Sequence, residues 1–284
     1  MNTRFSIIVC FRDEEKFLAD CLFSILSQDF SEFEAILIDD GSSDNSASIA
    51  RLFCANDARL RYKRLPGHSL GRARNYGIEQ ARGSHIIFLD ADDMLEPGTL
   101  AALSRENQRV KHEIISFNSR PLFELATSAE VKKRQEHRLG RFKLRPFRLP
   151  GPVSVILLAI QSSYIHSACL ICVDRNLINR EKIRFPEGIL HEDIEFTLRV
   201  FLAAREVRHI DKIFHVRRFR ECSITSRPSA NNIRNLKEIH QRLEQFESSP
   251  ALSIISRLAV RFVIPLVGKY RDDLERKVIH QSTR

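Results

Sequence analysis

At 284 residues the chain can bury a full core, either as one large α/β domain with an appendage or as two small domains. Its 43% hydrophobic and 29% charged residues exclude global disorder. The formal net charge of +9 asks for an anionic partner, and nucleic acid, anionic membrane or phosphorylated substrate would each satisfy it. Cys10, Cys21, Cys54, Cys169, Cys172 and Cys222 are scattered, mostly in apolar runs, as expected of buried, reduced thiols in a cytosolic protein. Cys169 and Cys172 have metal-ligand spacing, but no second pair accompanies them. The N-terminus is apolar too briefly for a signal peptide, and no apolar stretch approaches the roughly 20 residues that span a bilayer.

In chain order, Phe5 to Phe11 reads as a strand, and Glu14 to Gln28 places Phe17, Leu18, Cys21, Leu22, Ile25 and Leu26 at helical spacing. Phe33 to Ile38 is a second strand, and the turn from Asp39 to Asp44 leads into a helix carrying Ile49, Leu52 and Phe53. Arg59 to Leu65 is a third strand, Leu70 to Ala81 a helix stopped by Gly83, and Ser84 to Leu89 a fourth, wholly apolar strand. Pro97 suits the first turn of the next helix, and Glu113 to Asn118 is a fifth strand. Such alternation predicts a mostly parallel, Rossmann-like sheet with helices on both faces, whose ligands gather beyond the strands' carboxyl ends. Those ends carry Asp39 and Asp40 after the second strand and Asp90 to Asp93 after the fourth.

From Ser119 to Pro150 the pattern breaks down into a basic, partly mobile connector holding Lys132, Lys133, Arg134, Arg138, Arg141, Lys143, Arg145 and Arg148. Val153 to Ala159 then reads as a helix, Ala168 to Val173 as a strand, Glu192 to Ala204 as an amphipathic helix and Val207 to Arg217 as a strand. The remainder is basic and helical. Within it Leu252 to Val267, interrupted by Arg257, Arg261 and Pro265, is an amphipathic segment that would lie on an anionic membrane or pack on its own domain.

Three acids delivered by Ile86 to Leu89 into one turn repel one another, and a hard divalent cation is the simplest remedy; capping of the turn and the next helix is the plainer alternative. Asp-any-Asp after an apolar strand also occurs in haloacid-dehalogenase-like phosphatases. Against that reading, no later lysine and acidic motifs follow in order, and the Asp39–Asp40 loop would have no role. A basic nucleic-acid-binding protein is the non-enzymatic alternative, but aspartates at the sheet edge would repel phosphate, and no nucleic acid is expected.

Four segments in order carry a resemblance: Phe5 to Leu18, Ile38 to Asp44, Gly71 to Gly77, and Ala81 to Asp93. Together they resemble the inverting GT-A glycosyltransferase family 2, common in bacterial capsule, lipopolysaccharide and exopolysaccharide assembly. The likeness resumes at Phe185 to Gly188 with His191, Glu192 and Asp193, and at His215 to Thr225. It implies an α/β GT-A fold, a nucleotide-diphosphate sugar as co-substrate, Mn²⁺ or Mg²⁺ as the cation, and a glycan or lipid-linked acceptor. It divides the chain into a GT-A domain over 1–225 and a basic C-terminal helical region over 226–284. The domain would comprise a nucleotide-sugar-binding half (1–118), the basic connector (119–150) and an acceptor half (151–225). The expected location is cytoplasmic, either free or peripheral on the cytoplasmic membrane face.

The resemblance also implies roles. Asp40 would accept from the donor's base, which favours uracil, and Asp39 would hold the loop and ribose. Arg74 would meet nucleotide or diphosphate. Asp92 aligns with the direct metal ligand, and Asp90 with a contact to ribose or, through water, to metal. Asp193 would be the catalytic base that takes the acceptor hydroxyl's proton, kept ionised by its helix N-terminus. His215 is a further candidate metal ligand, and Arg218 and Arg220 would neutralise diphosphate. In the first motif, Val9 to Glu14, Arg12 replaces an aromatic near the base; Phe11 and Glu14 of that motif are carried over as donor-side residues, with the strand parity of Phe11 different.

Overall fold

β1 (Phe5–Phe11) and β2 (Phe33–Asp39) bury every residue, and β4 (His85–Asp90) buries all but its last, so both faces of this part of the sheet need a cover. The computed structural model describes residues 3–282 except 68, 110, 125–131, 133–144, 162, 165 and 221–228. In it the three strands pair in parallel about β1, with Phe11 beside Asp39 and Cys10 beside Asp90. β3 (Leu60–Arg64) pairs with β2. The register alone therefore puts the two acidic loops on one edge.

Alternation along the strands makes two cores. Ile8, Cys10, Ile36, Ile38, Ile86 and Phe88 face one way; Ile7, Val9, Ala35, Leu37, Ile87 and Leu89 face the other. The second core is closed by α1 (Leu18–Leu26), α2 (Ser46–Asn56) and α4 (Thr99–Arg109). The first is closed by α3 (Leu70–Gln80), which lies so near the sheet that a Cβ on Gly77 would sit 2.5 Å from Ile8. Phe88 meets Phe185 and Phe196 edge-on at 5.2 and 5.6 Å, and its truncation to Ala should cost about 3–5 kcal/mol.

Beyond β4 the strands pair in both senses. β5 (Met94–Leu95), β6 (Ile114–Phe123), β7 (Phe147–Leu149), β8 (Ile171–Asp174) and β9 (Val207–Phe219) complete a nine-stranded mixed sheet of order β3-β2-β1-β4-β8-β6-β9-β5, with β7 on β9. β8 runs antiparallel between β4 and β6, and β6 runs parallel to β9. The predicted parallel sheet is thus the first half of a mixed one.

Several boundaries differ from the sequence pattern for local reasons. The first helix starts at Leu18, not Glu14: Phe17 N closes a turn on Glu14 O (3.1 Å), and the amides of Glu14 and Glu15 donate to Ser46 Oγ (2.8 Å) and Asp44 Oδ2 (2.9 Å). Gly98, at φ 75°, separates Pro97 from α4. Ala168–Leu170 is a 3₁₀ turn capped by Ser167, so only Ile171–Asp174 is strand. β6 runs on to Phe123, five residues into the stretch read as connector, while Lys133, Arg134, Arg138, Arg141 and Lys143 lie outside the described residues.

Helices α5 (Gly151–Ile160), α6 (Arg175–Arg180) and α7 (Glu192–Ala203) add to the first core, as do the C-terminal α8 (Ala230–Glu247) and α9 (Ile254–Ser282). α8 opens on a capping box between Ser229 and Asn232. Ala259, Val260, Val263 and Val267 of α9 are fully buried, so this amphipathic segment packs on its own domain by one face. No helix among the described residues is long and apolar enough to cross a membrane. Cys169 and Cys172 fall in opposite cores, which separates the one cysteine pair with metal-ligand spacing.

Candidate active site

The loops after β1 and β2 are braced to each other by side-chain oxygens. Asp13, in the left-handed region at φ 55°, accepts from Ser43 N (2.7 Å), Ser43 Oγ (3.0 Å) and Asp44 N (3.3 Å). Those bonds hold its carboxyl below the usual carboxylate range. Asp39 is fully buried and accepts from Ser42 N (2.7 Å) and the Tyr62 hydroxyl (2.9 Å). Asp40, beside it, donates its amide to Phe11 O at 2.8 Å. Phe11 itself turns into the second core, while Arg12 is exposed.

The turn after β4 is arranged differently. Asp90 Oδ1 accepts from Arg74 Nη2 at 2.7 Å. Burial opposes its ionisation, yet the charge and hydrogen bond of Arg74 prevail and hold it low. Its carboxylate is still 42% exposed at the mouth of the site. Asp92 is pushed up to about 7, by burial first and then by the charges of Asp93 and Asp90. Asp93 is buried, accepting from Arg218 N (2.8 Å) and lying 3.1 Å from His215 Nε2.

α3 joins this turn to α7. Arg74, buried, gives Nη2 to Asp90 and Nη1 to Glu192 Oε1, both at 2.7 Å, with its guanidinium 5.2 Å over the Phe185 ring. The neighbouring Asn75 donates to Phe185 O (2.9 Å) and Glu187 Oε1 (3.0 Å) and accepts from Phe185 N (2.8 Å). Gly71 is required there: a Cβ would lie 2.1 Å from Pro186 O. α3 therefore seats the 185–187 segment that leads into α7, whose first turn carries Glu192 and Asp193. Asp193 is raised to about 7, by burial and then by Glu192, with Arg74 pulling the other way. Burial outweighs the helix N-terminus that was expected to keep it ionised.

β9 closes the opposite wall. His215 Nδ1 pairs with Ser119 Oγ at 2.9 Å, and Nε2, though near Asp93, has no aligned hydrogen-bond partner. Arg218 Nε donates to Asp92 O (3.0 Å) and Nη2 to Asp20 (2.8 Å). Arg220 forks onto both oxygens of Glu14 (2.9 and 2.6 Å) and reaches Asp92 Oδ2 at 3.0 Å. The Ser223–Thr225 part of the last motif lies outside the described residues.

Asp39, Asp40, Asp90, Asp92 and Glu14 thus ring one edge, and the Asp90–Arg74–Glu192 chain ties Asp193 to it. Arg74, predicted at the phosphates, has both terminal nitrogens spent on protein carboxylates, and Glu14 is spent on Arg220. Sequence reasoning gave no role to Tyr62 or Asn75, and it named Glu192 only as the motif partner of Asp193. Asn75 adjoins Arg74 and Glu192 adjoins Asp193, so proximity to motif residues was the available signal; Tyr62 left none.

Among the described residues no three acids, histidines or cysteines form a complete metal shell. Mg²⁺ and Mn²⁺ bind through one or two carboxylates plus substrate phosphates and water, so a partial set is what such an ion needs. Asp92 fits: burial first, and then the charges of Asp93 and Asp90, oppose its ionisation, and an added cation would relieve both.

The glycosyl transferase family 2 model matches residues 6–154, more than half of the chain. The uncharacterized glycosyltransferase EpsJ of Bacillus subtilis is 28% identical over 224 residues, 78% of this chain and 63% of that protein. The chain thus spans less than two thirds of that relative's length. S. aureus TarS 1–349, solved with UDP-GlcNAc, superposes with a TM-score of 0.70 at 22% identity, covering 85% of this chain and 66% of that one. The mannosyltransferase PcManGT of Pyrobaculum calidifontis, solved with GDP-Man and Mn²⁺, gives 0.66 at 14% identity, covering 96% and 74%. These likenesses match the GT-A fold and lend nothing to the phosphatase or nucleic-acid readings. With its ordered motifs, its sheet and its matched first half, the chain belongs to glycosyl transferase family 2.

Proposed function

We propose that the chain is a metal-dependent, inverting glycosyltransferase that moves a sugar from a nucleotide-diphosphate donor, a UDP-sugar, to a hydroxyl of a glycan or lipid-linked acceptor in bacterial surface polysaccharide synthesis. The observation that carries this reading is the Asp90–Arg74–Glu192 chain, which joins the acidic turn after β4 to the first turn of α7, where Asp193 follows Glu192. Asp40, with Asp39 bracing its loop, takes the base and ribose. Asp92 holds the divalent cation, with Asp90 and His215 as nearby candidates to complete its surroundings. Bound there, the cation supplies charge stabilisation to the departing diphosphate.

Asp193 accepts the acceptor hydroxyl's proton as that oxygen attacks the anomeric carbon. A carboxylate raised to about 7 is a stronger base than a solvated one and is still largely ionised slightly above neutrality. Activity should therefore rise through pH 7 as Asp193 deprotonates. The division at 225, with the donor half first and the acceptor half after 150, remains the working domain proposal.

The location proposed is the cytoplasmic face of a membrane. Ile254, Ile255, Leu258 and Phe262 of α9 are exposed, Ile254 by 87%, on the side away from the core. Arg257, Arg261 and Lys269 share the helix in a chain of net charge +9, which fits an anionic bilayer surface. Flotation with anionic vesicles should carry the protein up and neutral vesicles should not; Leu258→Glu should release it. A protein that stays down with anionic vesicles at low salt contradicts the membrane reading. For the reaction, a panel of nucleotide sugars with and without Mn²⁺ is read by thermal shift and donor hydrolysis. Stabilisation by one nucleotide sugar only with Mn²⁺ is expected, and no response to any donor would sink the proposal.

A further inference from the structure

Arg218 and Arg220 lie over the same Phe17 ring, at 4.8 and 5.0 Å, but are held in different ways. Arg218 fixes structure: its amide, Nε and Nη2 meet Asp93, the Asp92 carbonyl and Asp20. Among the described residues the polar partners of Arg220 are instead carboxylates of the site. Its fork is bidentate on Glu14, one arm also reaches Asp92 Oδ2, and its Nε is buried with no acceptor. A guanidinium with an orphaned donor is incompletely seated. Among the described residues its one ion pair outside Glu14 is with the oxygen of the carboxylate assigned to the cation.

We propose that Arg220 is a positioning residue that serves as the exchangeable counter-ion of Asp92, holding that carboxylate in place until the divalent cation displaces the guanidinium, which then pivots on Glu14 toward the donor's diphosphate. This rests on the reading of Asp92 as the metal ligand. The physical argument is charge balance. The turn carries Asp90, Asp92 and Asp93; the Arg74 guanidinium is committed to Asp90, the Arg218 guanidinium to Asp20 and the Asp92 carbonyl, and Asp93 is met by the Arg218 backbone amide and by His215. Asp92 is thus left with Arg220 as its side-chain cation. A divalent cation and a guanidinium repel each other across a shared oxygen, so arrival of the first favours departure of the second. Glu14 gives the departing side chain a charge-assisted anchor, so the movement is a swing about a fixed pair. A diphosphate brought by the donor supplies the paired oxygens that suit the freed fork.

The two affinities should then respond to one substitution with opposite signs. Mn²⁺ binding to nucleotide-free protein is measured from the electron paramagnetic resonance signal of free Mn²⁺, and UDP binding by calorimetry in saturating Mn²⁺. Arg220→Gln should bind Mn²⁺ about tenfold tighter, since loss of a competing charge-assisted pair is worth roughly that factor, and should bind UDP more weakly. A damaged fold cannot imitate a gain in metal affinity. Equal or weaker Mn²⁺ binding by Arg220→Gln, with binding still lost in Asp92→Asn, overturns the exchange and leaves the metal reading standing. Unaltered Mn²⁺ binding in Asp92→Asn overturns both. Should the wild type bind no Mn²⁺ without nucleotide, acquisition of binding by Arg220→Gln supports the exchange and its absence refutes it.

Discussion

After β2, Asp39 accepts a backbone amide and the Tyr62 hydroxyl, and across the gap Asp13 is bonded to Ser43 and Asp44. After β4, Asp92 has one shared arm of Arg220, and burial, with the charges of Asp93 and Asp90, pushes its pKa up to about 7. Both loops end parallel strands that flank β1, and they face the same edge. The first is satisfied by the protein alone, which suits the rest proposed for a base and ribose. The second is short of positive charge, which suits the proposed arrival of a donor with its cation. Asp193 resembles the second loop, raised by burial and by Glu192. A site of this kind keeps its strain where binding and chemistry relieve it.

The largest effect that would sharpen this contrast is loss of the base. Asp193→Asn should lower transfer by about 10²–10⁴-fold while donor binding, followed by calorimetry, stays intact. Full activity in that variant removes Asp193 from its role. Next, Arg74→Gln leaves Glu192 and Asp90 without their shared cation in a buried setting and should cost about 3–5 kcal/mol in denaturant unfolding. An unchanged midpoint would show that the bridge is not holding the site together. Asp39→Asn puts an amide where Ser42 N and the Tyr62 hydroxyl both donate, and should cost about 1–3 kcal/mol, read by thermal unfolding.

The smallest effect runs the other way. With its pKa raised from 3.8 to about 7, Asp193 contributes stability that is full below pH 4 and lost as pH rises through 7. Asp193→Asn should therefore be more stable than the wild type at pH 8, on the order of 1–3 kcal/mol, with the gain shrinking toward pH 4. Equal stability at pH 8 would mean that the carboxylate is not strained.

How much of this was legible in the sequence follows the kind of interaction involved. Period-2 and apolar runs located β1, β2 and β4, because full burial on both faces leaves a continuous hydrophobic signature. They did not reveal that β8 enters antiparallel beside β4, since pairing sense depends on the path of the chain between strands rather than on composition. The acids of the site were visible from their place after apolar strands. Their partners were not, because Arg74 to Glu192 and Arg220 to Glu14 join residues far apart in the chain. Arg74, which the resemblance sends to the nucleotide or diphosphate, is bonded in the structure to Asp90 and Glu192, partners that the sequence did not show. Asp193 was expected ionised from its helix position, a local cue that burial in the assembled fold outweighs.

The central claim is that Asp92 is the carboxylate that needs the donor's cation, and the most direct test is a calorimetric titration of a UDP-sugar into wild-type protein and Asp92→Asn, each with and without Mn²⁺. The account predicts strong binding by the wild type only with Mn²⁺, and binding by Asp92→Asn that is weak and indifferent to the metal. Mn²⁺-dependent binding of wild-type strength in Asp92→Asn would contradict it.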